Sequence, residues 1–339
     1  MFDLRVLNKE EIKEVLNMND VIKIVEEVYR LKAEGGTTVF PLIFHEFEPG
    51  AADMDIKSGW LKGYDIFGLK VVSWFGGNEK KGIPALIGII LVLDATTGTP
   101  IGILDGAHVT GMRTGASGAI GAKYLARSNS ETLLMVGAGH IAAFEIAATL
   151  LLFPTVKNVM IHAPLHPEHA DRLAASMPDI LREEFGITVD RGVGFHAVRD
   201  LENAVKDSDI IITATPSKTP LIKKEWVKPG THFSCVGADM SGKEEIDPEI
   251  FADARVFTDD TEQCINVGEI EIPVARGILK REAIAGEIGD VVTGRVTGRE
   301  SDGQITVFDA TGTALLDLLT GKLALDAAAE KEIGTIVKL

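Results

Sequence analysis

Apolar residues in the first 36 positions recur at helical spacing: Ile12, Val15 and Leu16, then Val21, Ile22, Ile24, Val25, Val28 and Leu31, with charged residues between them. That periodicity predicts two amphipathic helices ending near Gly35 and Gly36. From Thr37 the pattern shortens to strand-length runs, TTVFPLIFHEF, FGLKVVSW and ALIGIILVLDATTGTPIGILDG. Within LVLDATTGTPIGIL, Gly98 and Pro100 punctuate two apolar runs, which predicts a hairpin in an antiparallel or mixed sheet.

After Ser130 the pattern changes to strand, helix, strand, helix. ETLLMVGAG and a helix over about 140–152 lead to KNVMIHAP and a helix over about 167–184; further strands are expected at 193–197, in DIIITAT, in HFSCVGA and in ARVFTDD. Alternation of this kind predicts an α/β fold with a Rossmann-type, doubly wound parallel sheet. The first and last segments then form a second, α+β domain. We expect residues 1–114 with 315–339 in that domain and 115–314 in the Rossmann domain, the helix TALLDLLTGKLALDAAAEK returning to the first.

Composition narrows the function classes. The 339 residues carry 34 Lys+Arg against 50 Asp+Glu, a net charge of −16 that repels phosphate backbones, and no basic stripe offsets it. Nucleic acid is not an expected partner. The apolar runs are too short to span a membrane, and the charged amino terminus lacks the apolar centre of a signal peptide, so a cytoplasmic location is expected. Cys235 and Cys264 are too few and too far apart for a disulfide framework or a zinc ribbon, and both are expected to be buried. No metal site is expected.

One motif carries cofactor chemistry. Gly137, Gly139 and Ala142 form G-x-G-x-x-A between the apolar strand TLLMV and the helical HIAAFEIAATLLLF. Gly137 allows a tight turn, Gly139 lets backbone approach a pyrophosphate, and Ala142 lets helix pack on strand, with His140 and Ile141 at the phosphate end. The next strand ends in IHAPLHPEH, where Ala163 stands in place of the carboxylate that grips the ribose of NAD. That absence favours NADP over NAD, and His162 and His166 are candidates for the ribose side. Thr213, Thr215 and Pro216 follow a buried strand whose carboxyl end should face the same crevice.

HVTGMRTGASGAIGAK raises a second question, because Gly115, Gly118, Ala119 and Ala122 leave one helical face nearly bare. Each helix-interior glycine costs roughly 1 kcal/mol relative to alanine, so something is expected to pack very close. Arg113 and Thr114 precede that face. With Thr114 as N-cap, the helix start and Arg113 together suit an anion, either a substrate carboxylate or a cofactor phosphate.

These stretches, with FGLKVVSWFGGNEKKGIPAL, SKTPLIKKEWVKPGTHFSCVGADMSGKEEID, GEIGDVVTGRVTGR and ITVFDATGTALLD, make the chain similar to the ornithine cyclodeaminase/mu-crystallin family over nearly its whole length. The resemblance implies a homodimer built by the domain holding the first sheet and the final helix. It implies a nicotinamide cofactor, NAD or NADP, and hydride transfer at the α-carbon of a small amino or imino acid. An ornithine cyclodeaminase and a non-catalytic, NADP-dependent binding protein are the family's alternatives. By the same resemblance Lys70 and Arg113 grip the substrate carboxylate and Asp239, in GADMSGKEE, sits by the reacting nitrogen. Where the family has Pro-x-Arg this chain has Ile43, and Lys57 is the candidate substitute; Asn78 is a further substrate-side candidate. Physical chemistry is consistent with this. Lys70 interrupts an apolar strand, so its ammonium needs an anionic partner or a lowered pKa, and a structural salt bridge is the competing reading. Asp239 follows the apolar FSCVGA at the expected mouth of the sheet, where a carboxylate can take a proton from an amine.

Overall fold

The computed structural model describes residues 2–189 and 192–339, Glu79 by its backbone alone. In chain order it begins β1 (Asp3–Leu7), α1 (Lys9–Val15), α2 (Met18–Ala33), β2 (Thr37–Val39), β3 (Ile43–Glu48), β4 (Ala52–Leu61), β5 (Ile66–Phe75), β6 (Leu86–Asp94), β7 (Pro100–Asp105) and α3 (Gly106–Leu125). There follow β8 (Thr132–Val136), α4 (Ala142–Leu152), β9 (Asn158–His162), α5 (Pro167–Glu184), β10 (Gly194–Ala197), α6 (Leu201–Asp207) and β11 (Ile210–Thr213). Next are β12 (Lys218–Ile222), β13 (His232–Cys235), β14 (Glu244–Ile246), β15 (Arg255–Thr258), α7 (Thr261–Val267), α8 (Glu271–Ala275), β16 (Gly286–Glu287), α9 (Ile288–Val292) and β17 (Thr306–Asp309). α10 (Ala314–Glu330) and β18 (Thr335–Lys338) close the chain.

The chain divides into two compact units, residues 1–113 with 313–339, and residues 114–312. The first contains a mixed eight-stranded sheet in the order β18-β1-β7-β6-β5-β4-β2, with β3 also paired to β4. The β6–β7 hairpin is part of it, its turn held by Asp94 Oδ1 accepting from the Thr96 and Thr97 N–H groups at 2.8 Å each. Register decides which side chains share a face, because directly paired residues point to the same side. Lys57, Lys70, Ile90 and Leu104 form one such row and are buried. The neighbouring row of Ile43, Ile56, Val71 and Ile89 points the other way, and Ile43 and Ile89 are about half exposed.

Helix α10 lies against the buried face. Gly59 and Gly68, a cross-strand pair, make room for it: a Cβ at Gly59 would stand 2.9 Å, and one at Gly68 2.7 Å, from the Cδ2 atoms of Leu315 and Leu318. Two missing side chains thus bring the helix close enough for its own polar residue to reach the strands.

The second unit is a parallel eight-stranded sheet in the order β10-β9-β8-β11-β13-β17-β15-β16. Chain order runs outward from β8 to β10, then resumes on the other side at β11. The point where the order reverses, beside the carboxyl ends of β8 and β11, is where such sheets bind ligands. Its core contains Leu133, Met135, Ile146, Ile161 and Ile212 on one face and Leu134, Val136, Ile211 and Phe233 on the other. Both cysteines are buried and unpaired. No helix among the described residues is long and apolar enough to cross a membrane.

One sequence expectation needs correction. α3 starts at Gly106, so Arg113 and Thr114 lie in mid-helix and Thr114 is not an N-cap. The start is supplied instead by Asp105, whose Oδ1 accepts the Ala107 N–H at 3.0 Å. HVTGM reads weakly as helix because of its glycine and β-branched residues, yet residues 108, 109 and 111–122 are buried, and packing overrides the local preference. The bare face is real: Cβ atoms at Gly115 and Gly118 would lie 2.5 Å from the Phe144 carbonyl and 2.3 Å from Glu145 Oε2, both in α4.

Candidate functional site

Two groups of candidate residues emerge, one in each unit. In the first, the cross-strand partners Lys57 and Lys70 stand side by side on the buried face of β4 and β5. Lys70 Nζ lies 2.9 Å from Asp317 Oδ2, and Arg113 Nε donates to Asp317 Oδ1 at 2.9 Å. Lys70 is 3% exposed, Arg113 6% and Asp317 0%, so this is a dry ionic cluster in which two cations hold the α10 carboxylate, with Lys57 buried beside Lys70. Arg113 therefore does have an anion, although it comes from α10 and not from a helix start. Asp317 occupies the first turn of α10, where the helix dipole favours a carboxylate.

The charges respond to this arrangement. Burial, then the Arg113 charge and more weakly that of Lys57, outweigh Asp317 and lower the Lys70 ammonium to about 8. Burial alone would raise the Asp317 carboxyl; Arg113 and Lys70 reverse that and hold it below the usual carboxylate range. A further anion arriving beside Lys70 would restore its charge. The competing reading of Lys70 as a salt-bridge residue is thus true in the literal sense, but one carboxylate does not saturate the cluster's electrostatics. Asn78 is not in it: its Nδ2 donates to the Pro84 carbonyl at 3.3 Å, within its own turn.

The second group lies at the reversal point of the parallel sheet. Gly137 has φ +112°, a left-handed value, and a Cβ there would stand 2.5 Å from the Ala214 carbonyl oxygen. Gly139 faces open space instead, with nothing within 4 Å of where its Cβ would be. Backbone N–H groups there are open to a phosphate, which is the fit a dinucleotide requires. A cleft is lined by Gly137, Gly139, Ala163, His166, Thr215 and Pro216. Ala163 is in this lining, so no carboxylate occupies the position that holds a ribose in NAD-selective sheets. Ile141 immediately precedes α4, and the exposed His140 ring packs edge-on against Phe144 at 5.2 Å. His162 is turned away, its Nδ1 at 3.1 Å from the Val198 carbonyl, and Thr213 is fully buried at the end of β11. At the rim, the ligand atoms of His166, Glu168 and His169 lie within 4.8 Å of one another.

Asp239 follows β13 on a loop, half exposed, and pairs with Lys243 four residues on. Glu245 is fully buried and joins the loops after β11 and β13, and no local sequence pattern marks it. Asp317 was likewise missed. Its one sequence signal is an acid inside the apolar run TALLDLLTG.

The chain is 36% identical to alanine dehydrogenase of Archaeoglobus fulgidus over 335 residues, covering 98% of each. Its fold matches an archaeal alanine dehydrogenase dimer with bound NAD at a TM-score of 0.90, with 33% identity and full coverage of both chains. It also matches Thermococcus litoralis Delta(1)-pyrroline-2-carboxylate reductase, in complex with NADH and L-proline, at a TM-score of 0.90, 29% identity and 98% and 99% coverage. The family model for ornithine cyclodeaminase/mu-crystallin matches residues 3–332. The chain belongs to the ornithine cyclodeaminase/mu-crystallin family.

Proposed function

We propose that this chain is an NAD(P)-dependent oxidoreductase acting at the α-carbon of a small amino or imino acid. The observation that carries the reading is the dry cluster of Lys70 and Arg113 on the single carboxylate of Asp317, with Lys57 buried beside Lys70. A bidentate-capable guanidinium and buried ammonium groups suit the carboxylate of such a substrate, and low local polarity strengthens their hold. Gly137, Gly139, Thr215 and Pro216 would hold a nicotinamide dinucleotide, which would supply or take the hydride. Lys70 and Arg113 fix the substrate's carboxylate, with Lys57 assisting, so that the adjacent carbon is presented in one orientation. In the oxidative direction Asp239 accepts the proton that the α-amine loses on becoming an imine, and in the reductive direction returns it. The units divide the labour: residues 114–312 take the nucleotide, and residues 1–113 with 313–339 take the acid.

The cofactor is NAD or NADP, since Ala163 offers neither a carboxylate to exclude a 2′-phosphate nor a cation to demand one. The relatives' NAD and NADH complexes support the first, and the histidines at the rim leave room for the second. We further propose that the chain forms a homodimer through the exposed apolar row of β3 and β6, where Ile43, Ile87 and Ile89 share one face and are each 42–54% exposed. The dimer of the archaeal relative supports this.

The test is NADH and NADPH oxidation with α-keto acids plus ammonia and with cyclic imines, and reduction of NAD and NADP by L-alanine, L-proline and L-ornithine. Turnover with an imine or amino acid that Lys70→Ala abolishes while nucleotide binding persists is the expected result. Full turnover in Lys70→Ala, or release of ammonia from ornithine as the sole activity, would overturn it.

A further inference from the structure

Beneath the nucleotide cleft lies a group of buried acids that the reaction above does not use. Glu245 Oε1 accepts the N–H and the hydroxyl of Thr215, at 2.6 and 2.7 Å, and its Oε2 accepts the Gly237 N–H at 3.2 Å. Thr215 lines the cleft, while Gly237 stands two residues ahead of Asp239. One side chain therefore ties the nucleotide loop to the loop that carries the proton acceptor. The fit is tight: a Cβ at Gly237 would lie 2.5 Å from Glu245 Oε2 and 2.6 Å from the Thr215 backbone.

Glu245 is itself held from below. Its N–H and that of Ile246 donate to Glu269 Oε1 at 2.7 and 2.8 Å, and the Ile270 N–H donates to Asp309 Oδ2 at 3.1 Å. All three carboxyl groups are buried at the carboxyl-terminal side of the parallel sheet. A carboxyl group suits position 245 for a geometric reason: N–H donors approach both of its oxygens, whereas an amide would turn its own NH2 toward one of them. Such a conflict between buried donors costs more than the loss of a contact in water.

We propose that Glu245 is a positioning residue that locks the Thr215 loop and the Gly237–Asp239 loop into one register, so that nucleotide binding also fixes Asp239. The inference rests on the nucleotide reading above. Burial raises the Glu245 and Glu269 carboxyls above the usual range, with Glu245 adding repulsion at Glu269, consistent with a rigid, water-free clamp.

The experiment uses the full chain, with NADH or NADPH as the probe. Kd comes from nucleotide fluorescence, and amide hydrogen exchange is followed over residues 236–243 with and without nucleotide. In the native protein, nucleotide is expected to slow exchange across 236–243 as well as around 137–141. Glu245→Gln, of the same shape, is expected to weaken NADH about tenfold, as one buried donor conflict implies, and to abolish protection of 236–243 while keeping that of 137–141. Thr215→Val, which removes the hydroxyl that donates to Glu245 and accepts the Ser217 N–H, is expected to show the same pattern at about threefold, and it carries the test if Glu245→Gln does not fold. Native affinity and native protection of 236–243 in both variants would overturn the clamp while leaving the nucleotide reading intact. Absence of NADH and NADPH binding to the native protein would overturn both.

Discussion

Asp317 sits with Lys70 and Arg113 in a place water does not reach, and its removal should be felt in both fold and function. Asp317→Asn leaves Lys70 and Arg113 buried against a neutral amide, so a loss of about 3–5 kcal/mol in stability, measured by denaturant unfolding, is expected. The Lys70 ammonium at about 8 has two opposite consequences. In its proposed role Lys70 binds substrate through its charge, so affinity for a carboxylate substrate should fall as pH rises through about 8. Stability runs the other way: between about 8 and the ordinary 10.5 the unfolded chain keeps the proton that the folded chain has lost, so this group adds stability as pH rises. Asp309 has the reverse sign, because burial raises it from 3.8 to about 8. Its contribution is complete below 3.8 and lost as pH rises through about 8. Asp309→Asn should therefore flatten the decline of Tm between pH 5 and 8, and an unchanged slope would contradict the assignment. In the sequence, Lys70 stood out as a cation within an apolar run and Arg113 as a cation before a bare helical face, although the helix start expected beside it lies at Gly106. Asp317 did not stand out, since it lies 204 residues from Arg113 and no local pattern couples the two.

Helix α3 shows the same limit for an element. Its glycines announce a close neighbour, and α4 is that neighbour, but the helix start cannot be read from residues whose preference is overruled by burial. Gly115→Ala places a methyl group 2.5 Å from the Phe144 backbone, which cannot swing aside as a side chain would. Despite alanine's better helix propensity, destabilisation of about 1–3 kcal/mol is expected, read as a lowered denaturant midpoint. Strands were legible wherever apolar runs met turn residues, as in β6 and β7. The rotation of His162 toward Val198 and the burial of Thr213 were not, because side-chain direction at a strand end depends on neighbours that the local sequence does not name.

For the molecule as a whole, alternation of strand and helix after Ser130 was enough to foresee a parallel sheet, since connections of that length leave few other arrangements. The exposed row of β3 and β6 makes a prediction at this scale. Ile89→Lys should shift the chain from dimer to monomer in sedimentation velocity with an unchanged circular dichroism spectrum; a persistent dimer would move the interface elsewhere. The division at residues 113 and 313 also has a temporal meaning. On the ribosome, residues 114–312 emerge whole and can fold while their predecessors still wait for α10, the helix that covers the Lys70 face of β5. A chain that ends at residue 312 and has been released from the ribosome should thus resist protease across 114–312 and be cut within 1–113. The cations proposed to meet the substrate's negative end gain their buried partner only when Asp317 has left the exit tunnel.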